Sequence, residues 1–167
     1  MAVSATGSTG KMVENLRTLV AASTTFQTWT ESDDAAEALG SIHCFGAAPS
    51  ASRPFSLVSL GENERWQRAG IGVGDAWGPD PNPASLYLYF CGTVSATHEG
   101  NFEDTVFTFL NFVEGILEDI RGASGAAGSL AIQAITRSRG PEIAKNEDNA
   151  NRGSQDIEVA YEVEVGA

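Results

Sequence analysis

Residues 155–165 read QDIEVAYEVEV, and their alternation decides the fold. Ile157, Val159, Tyr161, Val163 and Val165 fall on one face, while Asp156, Glu158, Glu162 and Glu164 fall on the other. Alternation this strict predicts a half-buried β-strand whose outer face carries a row of carboxylates. Like charges set side by side on a sheet repel one another. Such a row is easiest to rationalise where the strand borders a cavity, a channel or an assembly surface. The plainer alternative is a solvated sheet edge, which alternation alone equally allows.

Working back from that strand, residues 142–154 are polar and rich in Asn, an excursion between two strands expected to pair antiparallel. Before it, Leu130, Ile132, Ala134 and Thr136 alternate as a strand that ends with Arg137 and Arg139 and is broken at Gly140-Pro141. Further upstream, Phe102, Val106, Phe109, Leu110, Val113, Ile116, Leu117 and Ile120 form one broad apolar stripe at helical spacing. Asn101 suits the N-cap of that helix, Glu103 and Asp104 suit its first turn, and Gly122 begins the stop. Leu86–Val94 is the most β-prone segment. Phe55–Leu60 reads as a strand that could extend to Arg68, and Ile42–Phe45 as a short one. Residues 70–83, with their Gly, Pro and Asp, read as a loop. Short helices fill the front third, with Ser23 and Asp34 as N-caps and Glu37 at capping-box spacing from Asp34.

This order predicts an α+β layer: a mainly antiparallel sheet of about five strands, with a long amphipathic helix and short N-terminal helices packed on one face. The expected organisation is a flexible arm at 1–9 and a single domain over 10–167, with loops at 70–83 and 140–154.

Composition narrows the function classes. The chain has 167 residues, enough for one domain with a substantial core, and 42% of them are hydrophobic. A formal net charge of −12 argues against binding a phosphate backbone. Two cysteines, Cys44 and Cys91, make no disulfide framework, and each lies in an apolar run that suits a reduced thiol. Met1–Gly10 lacks an apolar run and a basic stretch, so no leader is expected, and no segment approaches membrane-spanning length.

Enzyme and metal signals are weak throughout. His43 and Cys44 are adjacent, so on a strand they point to opposite faces and do not converge on a metal with His98 and Cys91. The glycines at 70, 72 and 74 are followed by neither Lys-Ser/Thr nor a helix, as a phosphate loop would require. Asp75 and Asp80 flank Trp77 without a nearby base, and 146–151 departs from calcium-loop spacing. No catalytic residue, metal or cofactor is expected. Trp66 and Trp77 lie in or beside the Gly/Pro loop, either folded back on the core or held for a partner.

The layout resembles the small tail-terminator, or tail-completion, proteins of long-tailed bacteriophages, also described as minor tail or neck components. The stretches that carry the resemblance are LVAASTTFQTWT (19–30), DDAAEALGSIHC (33–44), RPFSLVSLGENERWQR (53–68), SLYLYF (85–90), FVEGILEDIRGASG (112–125), LAIQAITRSRGPEI (130–143) and DIEVAYEVEVG (156–166). None is a catalytic signature. The resemblance implies a virion protein, assembled in the host cytoplasm, that forms a homo-oligomeric ring, usually of six copies. That ring caps the tail tube, halts its growth and meets the head connector, while DNA passes through the lumen without specific binding. The candidate channel-lining or interface residues are then Asp156, Glu158, Glu162, Glu164, Arg137, Arg139, Trp66 and Trp77. Arg137 and Arg139 either meet acids across the ring contact or pair with the acidic strand of their own subunit. The alternatives are another neck, head-completion or minor tail protein, a host-interacting adaptor, or a small cytosolic enzyme or ligand-binding domain.

Overall fold

The acidic terminal strand lies inside the sheet, not at its edge. The computed structural model describes residues 8–45, 52–60, 66–68, 77–79, 84–95, 102–125, 131–144 and 154–166. Its main sheet has five strands in the order β1-β2-β5-β7-β6, where β1 is Ile42–Cys44, β2 Phe55–Leu60, β5 Ala84–Ser95, β6 Ala131–Ala144 and β7 Ser154–Gly166. The two remaining strands, β3 (Trp66–Arg68) and β4 (Trp77–Pro79), pair with each other in a separate two-stranded sheet. Within the main sheet, β1 runs parallel to β2 and the other pairs are antiparallel. The fold is α+β.

One face of the sheet is covered by helices. Leu86, Leu88 and Phe90 of β5 and Ile157, Val159 and Val163 of β7 are almost fully buried beneath Leu16 and Val20 of α1 (Ser8–Ala22), Phe26 of α2 (Thr24–Trp29) and Val113, Ile116 and Ile120 of α4 (Phe102–Ala123). Each such side chain contributes about 1.5–3 kcal/mol through burial, so this interface holds the fold together. Gly92 makes the close approach possible. A Cβ there would stand 2.9 Å from the Phe109 ring and 3.2 Å from Trp29. Trp29 in turn packs against Phe26, Phe90 and Phe109.

The expected caps form. Ser23 Oγ accepts from the Phe26 N–H and donates to Asp119 of α4 at 2.7 Å, which ties α2 to α4. Asp34 accepts from the Glu37 N–H at the start of α3 (Ala35–Ala38), while Glu37 accepts from the Asp33 N–H.

Several boundaries differ from the sequence reading. The first helix starts at Ser8, inside the expected arm, and residues 1–7 lie outside the described residues. The second strand stops at Leu60, and Trp66–Arg68 belongs to the other sheet. Trp77–Pro79 is a strand within the expected loop 70–83, whose other residues, with Asp75 and Asp80, are outside the description. Asn101 and His98 are outside it too, and Gly122 lies within α4.

The largest departure is in β6. Gly140-Pro141 does not break it; the strand runs to Ala144, inside the expected loop 140–154. It does so through three register shifts against β7, between Ile132 and Ala134, Arg137 and Arg139, and Arg139 and Glu142. Each shift gives β6 one residue more than β7, a β-bulge. Ile132 therefore pairs with Val165 while Ala134 pairs with Glu164, so these two fall on opposite faces and not together as alternation suggests. Gly140 has φ +82, and a Cβ there would meet the Glu158 carbonyl at 2.7 Å, so glycine is required at that bulge.

Candidate functional site on the open sheet face

The second face of the main sheet carries the acidic row, but the row is not a line of unpaired charges. Arg53, just before β2, reaches across β5 to β7. Its Nε lies 3.2 Å from Asp156 and its Nη2 donates to Glu158 at 2.9 Å. The same guanidinium stacks over Phe55, 5.3 Å from the ring centroid. Burial alone would lower the Arg53 pKa; the Glu158 hydrogen bond and the surrounding negative groups outweigh it and hold it above the ordinary value. Arg139 approaches the same cluster more remotely, 3.6 Å from Glu142 and 4.0 Å from Glu158.

Asp156 is correspondingly only 8% exposed, so this member of the row lies on the expected face but is covered. Glu158 and Glu162 are half-buried, and Glu164 is exposed. Because β7 has β5 on one side and β6 on the other, the solvated-edge alternative does not hold.

The two arginines singled out by sequence are separated by a bulge. Arg137 pairs with Tyr161, on the helix-covered face, and Arg139 pairs with Ala160, on the open face. Burial raises the Tyr161 pKa, with Arg137 opposing and Glu114 of α4 reinforcing, which fits that placement. Arg139 therefore joins the acidic strand of its own subunit. Trp66 and Trp77 belong to the two-stranded sheet, where Trp66 pairs with Pro79 and Trp77 with Arg68.

Beside the charge cluster lies a shallow open groove of about 280 Å³. Phe55, Leu57, Tyr89 and Cys91 line it, and Phe45, Arg139 and Glu158 border it. Phe45 is 65% exposed and has φ +62, a left-handed conformation that costs a bulky residue about 1–2 kcal/mol. Its N–H is held by the Val58 carbonyl at 2.9 Å. Cys91 is buried, and burial, reinforced by Glu158 and opposed by Arg53, pushes its thiol up to about 12. It is therefore protonated and unreactive at neutral pH. Burial raises Cys44 as well, so neither thiol has the environment of a nucleophile. Among the described residues no group of three His, Cys, Asp or Glu could hold a metal ion, and no helix is long and apolar enough to cross a membrane.

Sequence reasoning missed Arg53, Phe45 and the groove. The available signal for Arg53 was an isolated cation in a small-residue stretch next to an apolar strand, facing a protein rich in carboxylates.

No protein-family model matches the chain, and no curated protein matches it. Among solved structures, one chain described as "Virion of native gene transfer agent (GTA) particle" is similar at 14% identity and a TM-score of 0.30, covering 89% of this chain and 98% of that one.

Proposed function

We propose that the chain is a structural subunit of a phage-type virion, a tail terminator that closes into a ring on the end of the tail tube. The observation that carries this reading is the asymmetry of the fold. One sheet face is covered by helices, while the other leaves Phe45, Leu57, Tyr87 and Tyr89 partly or largely exposed beside an ion-pair cluster. A face of that composition is suited to being covered on assembly. The stretches that resemble tail-completion proteins span the same helix-and-sheet framework.

In this reading the acidic strand acts through only part of its length. Asp156 and Glu158 are tied to arginines, while half-buried Glu162 and exposed Glu164 stand further along the same face, towards a lumen. Multiplied around a ring, and added to a formal charge of −12 per copy, they would keep DNA phosphates from adhering to the wall.

The test mixes purified chain with the tail tube protein from the same genome and images the tubes. A closed ring with a central opening at one tube end, together with shortened tubes, supports the reading. Tubes of unchanged length with no added density at either end overturn it. Density at a head or connector particle instead assigns the chain to the head-completion alternative.

A further inference from the structure

The main sheet ends on β6, and the two halves of that strand are held very differently. The near half is anchored. Ile132 and Ile135 pack against the core, and the Ile132 N–H donates to Ser124 Oγ, just past the end of α4, at 2.7 Å. Further along, that anchoring stops. From Thr136 to Ile143 every residue except Gly140 is exposed. Ile143 is 41% exposed although its partner on β7, Ile157, is fully buried, so the cover over β7 at that level does not reach β6.

The side-chain ties of this far half are sparse among the described residues. Ser138 Oγ donates to the Ala160 carbonyl at 3.2 Å, and Arg139 stands 4.0 Å from Glu158. The closer contact of Arg139, 3.6 Å to Glu142, lies within β6 and adds nothing to the join with β7. Two of the three register shifts, between Arg137 and Glu142, interrupt the ladder over the same stretch, and Pro141 has no N–H to give it.

The facing stretch of β7 is fixed from its other side. Its pairing with β5 runs from Ser154–Ser95 to Val165–Ala84 without a register shift. Arg53 grips Asp156 and Glu158 at 3.2 and 2.9 Å from beyond β5. Neither hold involves β6.

We infer that residues 138–144 form a hinged strap. They lift from β7 as one unit, pivoting at the Ser138 bulge, while the near half of β6 and the rest of the sheet stay folded. Sub-global opening belongs to segments with few buried apolar contacts and a weak ladder. Closed, the strap covers a regular strand with a bulged, Pro-bearing edge, which resists pairing with another chain. Open, it bares the β7 backbone between Asp156 and Ala160 and releases Arg139 from Glu158. The strap goes beyond the ring reading and does not depend on it.

Amide hydrogen exchange of the full chain, resolved by NMR and repeated in low urea, tests this. The strap amides bonded to β7 should share one opening, at least about tenfold more frequent than that of the Ile132–Ile135 amides. Its urea dependence should be slight, because little surface is exposed. The Leu86–Phe90 amides of β5 should exchange only through global unfolding. Ile116→Val, a conservative change at a fully buried position of α4, separates the two events. It should make β5 exchange about fivefold faster and leave the strap rates unchanged, since strap opening keeps α4 in place. Strap amides as slow as Leu86–Phe90, strap amides that accelerate equally in Ile116→Val, or opening residue by residue without a common urea response overturns the inference.

Discussion

Arg53 and Asp156, from opposite ends of the chain, meet at 3.2 Å on the open sheet face with side chains only 18% and 11% exposed. Removing the cation takes the Arg53 contact away from a largely buried carboxylate. Arg53→Ala should therefore cost about 3 kcal/mol, more than an exposed pair would. Adding Asp156→Asn should recover part of that loss. Chemical denaturation of both single variants and the double variant measures the coupling, and strict additivity would contradict the pairing.

The bulge at Gly140 makes a second prediction. With φ +82 and the Glu158 carbonyl 2.7 Å from any Cβ, Gly140→Ala should destabilise by about 2 kcal/mol. Gly122→Ala has open space around it and lies in a helix, so it should be neutral or slightly stabilising. Equal effects in thermal unfolding would contradict the local geometry.

Phe45 should behave in the opposite sense. Phe45→Gly relieves a left-handed bulky residue whose ring is mostly in solvent, so the isolated subunit should gain about 1 kcal/mol. A loss of stability on urea unfolding would mean that the ring packs more than its exposure indicates.

Asp119 links acid sensitivity to the α2–α4 contact. The hydrogen bond from Ser23 lowers its pKa, burial opposes, and Thr25 adds to the lowering. A depressed carboxylate stabilises the fold above its unfolded pKa, and that contribution is lost as pH falls through the depressed value. The loss should begin below about pH 4. Its size is about 1 kcal/mol after allowing for solvent screening. Asp119→Asn should be less stable at pH 7 and should show a flatter stability profile below pH 4.

Cys91, pushed up to about 12, should react with a thiol reagent at pH 8 only as fast as the protein opens, while half-exposed Cys44 reacts sooner. The raised value means its contribution is present below the unfolded thiol pKa, near 9, and lost as pH climbs toward 12. Cys91→Ser should remove that part of the alkaline loss. Rapid modification of both thiols in the native state would contradict the burial.

The terminal strand and α4 were legible because each buries one face against a firm layer, and burial imposes period two or period 3.6 on the sequence. In β6 the same logic failed. An edge strand has a neighbour on one side only, so extra residues at Gln133 and Ser138 are tolerated and leave no compositional mark. The ribbon Trp66–Arg68 with Trp77–Pro79 was illegible because three-residue strands in Gly- and Pro-rich sequence show no period. The carboxylate row was read correctly as a face of the strand, but not as an ion-pair cluster. Its cation, Arg53, is distant in sequence, and alternation carries no information about partners across a sheet.

Ser138 has a consequence of its own. It is the surplus residue between Arg137, opposite Tyr161, and Arg139, opposite Ala160. Deleting it would leave an ordinary ladder in which both arginines keep their present addresses, so a shortened chain should fold with neither charge changing sides. Deletion, commonly ruinous within a strand, would at this position leave the core-facing residues of the sheet where they are.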